Sequence, residues 1–387
     1  MRTKLLDVSV QALMEIDHNI DVLVRQIELL SYVNPVNIRE EKDRFFASKY
    51  LTDPVFEYPR INFDKFKLHR ELFTQPLENI DDPEIRQLYE DIIYTYSGLI
   101  QCIETIGSGR KFYYNCLHCF GTPTEKDVNN AKFILHFEHE PDTDEKFIPR
   151  YSSRDTEVFF KEYSSKYAFN YAIRHSDKIS ASAMVLNNTQ TLMLNENYTF
   201  SDNEIGVLNN HEIGVHMVTT MNGLLHPLKI FSHGFPNYEE TQEGLAVFAE
   251  YMSDNLTVRR LKELAYRVLA VDSLAKGYDF SKTFRLLHDQ YGLNKEKAFN
   301  ITLRVHRGGG FTKDYLYLTG LKKIYDHYRS GKDLGPLLTG KVSLGYQKQI
   351  RTLIESGLAV NPLHFPDSYA KNRNSDRTVD FILNNLK

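Results

Sequence analysis

Two histidines five residues apart in a helical stretch constrain this chain more than any other feature. Residues 211–216 read His-Glu-Ile-Gly-Val-His. On an ideal helix a five-residue step turns the second ring about 140° from the first, against about 40° for a four-residue step. A regular helix cannot aim His211 and His216 at one point. If they act together, the helix must take up an extra residue as a π-type bulge, a distortion that favours functional sites. Gly214 lies inside the motif and would ease that distortion, at a cost in helix propensity.

Metal binding is the chemistry that needs the two rings to converge. Two imidazoles and a carboxylate leave a tetrahedral zinc one open position for water, which separates a catalytic site from a structural one. Glu212, adjacent to the first histidine, stands where a hydrolytic zinc site needs its general base. Six residues downstream could supply the third ligand: Glu239, Glu240, Glu243, Glu250, His226 and His233. Glu243 is followed by Gly244, Ala246 and Ala249, small residues that let two helices approach closely enough to share an ion. Glu239 and Glu240 precede that helix, where acids favour its dipole. Glu250, two turns on, could orient a ligand histidine from behind or simply be solvated. His226 and His233 read as cleft-lining or merely hydrogen-bonded loop residues.

The surrounding pattern is mostly helical. Leu6, Val10, Leu13, Ile20, Leu23, Ile27 and Leu30 recur at helical spacing and predict one helix over 4–32, ended at Asn34-Pro35. Asp81-Asp82-Pro83 opens a second over 83–106. Residues 138–157 are polar and proline-containing and predict a loop. A helix over 156–173 should follow. Then residues 179–186 and 189–194 flank Asn187-Asn188 as two strands about a tight turn. The second of these could offer a free edge to an extended peptide. Ser201-Asp-Asn-Glu204 has the form of a capping box and opens the motif helix. Further helices fit 241–274, 281–291, 294–306, 313–330 and 346–357, with a frayed polar tail after Pro366. The fold class expected is α+β and mostly helical, with a small antiparallel sheet and an N-terminal helical region. Residues 1–120 read as helical support, 121–345 as the catalytic domain, and 346–387 as a C-terminal helix and tail on the same body.

Composition removes several alternatives. A net charge of -4 gives no reason to expect nucleic-acid or anionic-membrane binding. No run approaches the roughly 18 apolar residues of a membrane span, and the N-terminus lacks a signal-peptide pattern. Three cysteines, an odd and low number, predict a reducing, cytoplasmic setting. Cys116-Leu-His-Cys119 has no second pair to complete a zinc ribbon and reads as ordinary thiols. The sequence leaves the oligomeric state open.

Three motifs in order carry a family resemblance: His211-Glu-Ile-Gly-Val-His216, Gln242-Glu-Gly-Leu-Ala246, and Gly309-Gly-Phe-Thr-Lys-Asp314 with Tyr317-Leu318 and Gly320. Over about residues 150–340 the chain resembles the tyrosine carboxypeptidases. Their eukaryotic members remove the C-terminal tyrosine of α-tubulin, and their bacterial members are called "QEGLA motif" proteins. The resemblance implies a zinc-dependent peptidase with a zincin-like core acting on a peptide or protein C-terminus. It implies that His211, His216 and Glu243 bind one zinc per chain and that Glu212 is the catalytic base.

A carboxypeptidase also needs a cation for the terminal carboxylate, ideally a forked arginine. Arg304-Val-His-Arg307-Gly-Gly-Gly-Phe-Thr-Lys313-Asp314 is the place to look, since three glycines permit close backbone approach to a ligand. Arg307 and Lys313 are the candidates for substrate binding, and Tyr317 for donating to the oxyanion. Two other classes compete. A metal-binding regulatory protein of the same fold would have little use for Glu212. A di-metal carboxylate bundle would need Glu-x-x-His pairs on two helices, and the step from Glu212 to His216 is one residue too long.

Overall fold

The computed structural model describes every residue except Met1, Glu140, Asp142 and Ser180, with side chains described from Val10 onward. Leu6 and Ser180, each part of an expected element, lie outside that description. The chain opens with α1 (Arg2–Val24), α2 (Leu29–Val33), α3 (Ile38–Ala47), α4 (Lys65–Phe73), α5 (Pro83–Glu104), α6 (Arg110–Phe120) and α7 (Glu125–Leu135). Next come β1 (Tyr151–Ser152), α8 (Thr156–Ser164), β2 (Ala172–Ser176), β3 (Ala183–Leu186), β4 (Thr191–Asn195) and β5 (Thr199–Phe200). Helix α9 (Asp202–Leu208) runs through a π segment (Asn209–Met217) into α10 (Val218–Leu224). Short α11 (Ile230–His233) leads to α12 (Tyr238–Met252) and α13 (Val258–Ala275). The chain closes with α14 (Phe280–Arg285), α15 (Lys295–His306), α16 (Leu316–Arg329), α17 (Gln347–Glu355) and α18 (Arg377–Asn385). The protein is α+β and mostly helical, with a small antiparallel sheet and N-terminal helices.

Local chemistry explains the helix starts that matter. Asp82 caps α5, accepting from the amides of Glu84 at 2.8 Å and Ile85 at 3.1 Å, with Pro83 at the first helical position. Ser201 and Glu204 form the expected reciprocal capping box at α9. Loss of such a cap costs about 1 kcal/mol.

Four boundaries differ from the sequence reading. The first helix breaks after Val24: the Ile27 amide bonds the Val24 carbonyl and closes a turn before α2. The apolar period runs on because Ile27 and Leu29 remain buried across that turn. Helix α8 stops at Ser164. The aromatic run beyond it packs as a cluster, with Tyr167 stacked on Phe169 at 5.1 Å, and Ala172–Ser176 joins the sheet. The expected helix over 241–274 is two helices, α12 and α13, parted where Asp254 takes a left-handed φ of 65°. The tail is not frayed: Asp376 caps α18, whose Val379, Ile382 and Leu383 are buried.

The main sheet has the order β2-β4-β3, with β2 parallel to β4 and β3 antiparallel to it. A second, two-stranded sheet pairs β1 with β5 antiparallel. β4 therefore lies between two partners, and the strand expected to offer an edge is fully paired. Of the strands near the motif helix, β3 is an edge.

One large hydrophobic core extends from Leu13 to Leu386, and a smaller one joins Phe160, the sheet and Ile213. Phe45 of α3 is completely buried and meets Phe280 and Phe284 of α14 edge-on at 5.1 and 5.0 Å. Such ring pairs add about 0.5–1.5 kcal/mol beyond area burial. Among the described residues no helix is long and apolar enough to cross a membrane.

Candidate metal centre and cleft

The motif helix carries the distortion its spacing requires. Residues 209–217 are π-helical between two α-helical stretches. The extra residue per turn brings both imidazoles to one side, their ring centroids 4.9 Å apart. Gly214 contributes space rather than an unusual dihedral. A Cβ there would lie 3.0 Å from the Tyr163 hydroxyl, which donates to Asn210 at 3.0 Å.

His211 Nε2 and His216 Nε2 each lie 3.5 Å from Oε2 of Glu243. That oxygen is buried and makes no hydrogen bond. The spacing is too long for a good hydrogen bond. It suits an ion: a tetrahedral centre with bonds of about 2.1 Å has ligand atoms about 3.4 Å apart. Among the described residues this trio is the one group of histidines and acids whose donor atoms converge in this way, all within 4.8 Å. The donor set of two imidazoles and a carboxylate is that of a catalytic zinc.

Residues behind the trio hold it in place. His211 Nδ1 lies 2.8 Å from Glu250 Oε1, so Glu250 holds that edge of the ring and Nε2 is the nitrogen left facing Glu243. Glu250 in turn receives Arg260 through Nε at 3.0 Å and a second nitrogen at 3.1 Å. Burial disfavours a charged His211, but Glu243 and Glu250 outweigh it and lift its pKa to about 9. His216 is pushed down to about 4, chiefly by burial. Burial also works against an ionised Glu243, yet Lys313 and the two imidazoles hold it well below the usual carboxylate range. The pocket thus presents an ionised carboxylate whose Oε1 meets the Lys313 ammonium and whose Oε2 faces the two imidazoles.

Glu212 faces the same cavity and is 8% exposed. Burial raises its pKa to about 7, against the opposing pull of His211. A carboxylate so tuned can take and return a proton near neutrality.

The packing of α12 explains the small residues of Gln242-Glu-Gly-Leu-Ala. A Cβ on Gly244 would sit 2.4 Å from the Gly320 backbone, and one on Gly320 would sit 2.1 Å from the Glu240 carbonyl. The close crossing of α12 and α16 holds Glu243 opposite the π segment. Gly244→Ala should therefore cost about 1–3 kcal/mol through overpacking. It should lower the denaturant midpoint without changing the slope, and an unchanged midpoint would show that the helices can separate freely. Gln242 ties the ligand helices together, its Oε1 accepting from Thr219 at 2.7 Å.

Lys341 was not foreseen. It is 2% exposed, and Nζ donates to the His216 carbonyl at 2.9 Å and to Thr219 at 3.1 Å. Thr220 also donates to that carbonyl, at 2.7 Å. These donors satisfy a main-chain acceptor at the junction where the π segment returns to α10, and so brace the second histidine. Burial lowers the lysine pKa to about 7. Nothing in local sequence marks this residue, since it reaches the site from 125 positions away.

The remaining candidates separate. Lys313 Nζ lies 2.5 Å from Glu243 Oε1, so its ammonium is engaged by the carboxylate of the trio. Arg304 forms a fork with Asp314. Arg307 is 5% exposed, donates to Asn34, lies 4.9 Å over the Phe311 ring, and keeps a buried Nε without a partner. Burial, reinforced by Arg304, pushes its pKa down to about 10. Of the two expected cations, Arg307 is the one not engaged by a carboxylate of the trio, and its Nε is left without a partner. Tyr317 lies nearly parallel to the His211 ring at 6.2 Å and under Arg267 at 4.9 Å. Burial raises its pKa, so the phenol stays a neutral donor.

Some readings are corrected. The run Gly308–Gly310 has positive φ throughout, but a Cβ on Gly309 would strike the Gly109 backbone at 2.7 Å. The glycines make room for the turn before α6, not for a ligand. His226 is buried against Phe231 and bonded to the Thr339 carbonyl. His233 pairs with Asp21 and lines the cavity, in keeping with both of its readings, and Glu240 pairs with Lys323. None of these three reaches the trio. Cys102 and Cys119 lie 3.6 Å apart as free thiols, away from it.

The trio opens into a cavity of about 240 Å³ that Glu212, Arg307, Lys313, Tyr317 and Lys341 also line. Part of its wall comes from α1, α2 and α5, in the region read from sequence as support alone.

A search of curated proteins finds no match. Residues 43–387 match the family described as microtubule-associated tyrosine carboxypeptidase, a longer stretch than the motifs alone suggest. The activity class is that of a carboxypeptidase, and the substrate class is peptide or protein. With the match covering nearly the whole chain, and the three motifs meeting at one cleft, the protein belongs to the microtubule-associated tyrosine carboxypeptidase family.

Proposed function

We propose that this protein is a zinc-dependent carboxypeptidase that hydrolyses the last peptide bond of a peptide or protein ending in tyrosine or another aromatic residue. The observation that carries the reading is the orphaned Glu243 Oε2, faced by two imidazole nitrogens beside the buried Glu212. A zinc ion held by His211, His216 and Glu243 would acidify a bound water and polarise the scissile carbonyl.

The chain's own residues supply the rest. Glu212 accepts the proton of the attacking water and passes it to the departing amine, a task suited to a pKa near 7. Tyr317, a neutral phenol lining the cleft, donates to the carbonyl oxygen as charge builds on it. Arg260 and Glu250 keep the His211 ring in register. Arg307 receives the terminal carboxylate through its unpartnered Nε, offsetting the burial of its own charge.

A net charge of -4 provides no broad attraction to an acidic polymer. We therefore assign a C-terminal residue as substrate without restricting the reading to microtubules.

The test pairs a peptide ending in free tyrosine with the same peptide amidated. The free acid should be shortened by one residue and the amide left intact. Arg307→Ala should raise KM for the free acid about tenfold or more, since a hydrogen bond to a charged group contributes about 1.5–3 kcal/mol. Equal cleavage of acid and amide by the parent protein would overturn the carboxypeptidase reading.

A further inference from the structure

Part of the cleft wall comes from ahead of the stretch that matches the family. The match begins at residue 43, yet Val24, Ile27, Leu29, Leu30 and Asn34 line the cavity that holds the metal trio. These residues form the turn between α1 and α2, and α2 itself. Three contacts bind the strip to the region that carries the trio. Asp17 accepts from the amides of Lys229 and Ile230, His233 pairs with Asp21, and Asn34 accepts from Arg307. The strip is thus a fixed wall, with Ile27 and Leu29 rooted in the main core and Leu30 half-buried against it.

Geometry relates this wall to the substrate. In a terminal residue the carboxylate and the side chain branch from the same Cα, one bond of about 1.5 Å each. A carboxylate on Arg307 therefore confines the side chain to what surrounds Arg307. Phe311 lies beneath the guanidinium and Asn34 accepts from it, with the Arg304–Asp314 pair nearby; through Asn34 the strip joins the wall of the same cavity. Val24, Ile27, Leu29 and Leu30 of the strip, with Phe120 and Phe311, form the apolar part of this wall, which rewards apolar area at about 25 cal/mol per Å². Glu28 on the same strip is an acid that opposes a charged acidic side chain.

We propose that residues 24–34 form the wall that selects the terminal side chain, favouring a large aromatic or aliphatic residue over a small or charged one. The inference rests on Arg307 as the carboxylate receptor. It places side-chain choice in a segment ahead of the matched residues 43–387.

Peptides identical except for a last residue of Tyr, Phe, Leu, Ala or Glu test it on the zinc-loaded full chain. The parent should prefer Tyr, Phe and Leu to Ala and Glu by tenfold or more in kcat/KM. Leu30→Ala and Ile27→Ala should each cut the Tyr-to-Ala ratio about tenfold with zinc content unchanged, the scale expected for lost apolar contacts in a pocket. Leu30 is only half-buried, so its variant guards against a folding failure at Ile27. A second readout needs no catalysis: with zinc chelated, N-acetyl-tyrosine should bind more tightly than N-acetyl-alanine, and Leu30→Ala should narrow the gap. If both variants slow all peptides equally, or leave the ratio unmoved, the wall does not select. If the parent cleaves acid and amide alike, it is the carboxypeptidase reading that fails. If the parent discriminates acid from amide but the variants keep its preference, only the present proposal falls.

Discussion

Glu212→Gln should retain one zinc per chain and lose cleavage of a C-terminal peptide by about 10²–10⁴-fold, the usual worth of a positioned general base. The substitution changes one oxygen to an amide nitrogen, so the packing around this 8%-exposed side chain is preserved. Glu212 is not one of the converging donors, so metal affinity has no reason to fall. The loss should appear in kcat if Glu212 acts, as proposed, on protons in flight and does not hold the ground-state peptide. Zinc content by elemental analysis and single-residue release by mass spectrometry read the two effects separately. A Glu212→Gln protein that holds zinc and cleaves like the parent would remove Glu212 from the mechanism.

His216→Ala should abolish both zinc and activity. The ring is one of three donors, and its removal leaves His211 and Glu243 as the trio's remaining ligands. Loss of a partner behind the ligands typically costs about 10–100-fold in affinity or activity, and loss of a ligand itself should exceed that. The fold should survive, because α9, the π segment and α10 are held by Val215, Met217 and Val218 in the core and by the Thr219–Gln242 bond. Competition with a chelator of known affinity measures the loss. If His216→Ala retained zinc as tightly as the parent, the trio would not be the site. Zinc affinity lost together with a collapsed circular dichroism spectrum would instead make His216 a structural residue.

Legibility from sequence followed the range of the forces involved. Periodicity, caps and turn residues act over a few positions, so α5, the Ser201–Glu204 box and the strand–turn–strand ahead of the motif were readable. The π segment was readable for a rarer reason: two ligands at a forbidden spacing leave one geometric solution. Errors fell where distant partners overrode local preference. The helix expected over 156–173 ran on through Tyr167, Phe169 and Tyr171, but pairing with β4 makes 172–176 a strand. Asp254 parts α12 from α13 although the apolar period runs through. The glycines at 308–310 were read as room for a ligand, and they are room for Gly109 and Phe112.

The amino-acid sequence by itself determined the donor types, their spacing and the distortion that spacing imposes, because these depend on one helix and its handedness. Tertiary structure alone decided what surrounds the donors. It engaged Lys313 with Glu243, left the Arg307 Nε without a partner, brought Lys341 across 125 residues to brace His216, and set residues of the 24–34 strip in the cavity that holds the trio. Each of these is a contact between segments far apart in the chain. Their energies come from burial and from paired charge inside a shared core, and no local stretch of residues encodes where its partner will lie.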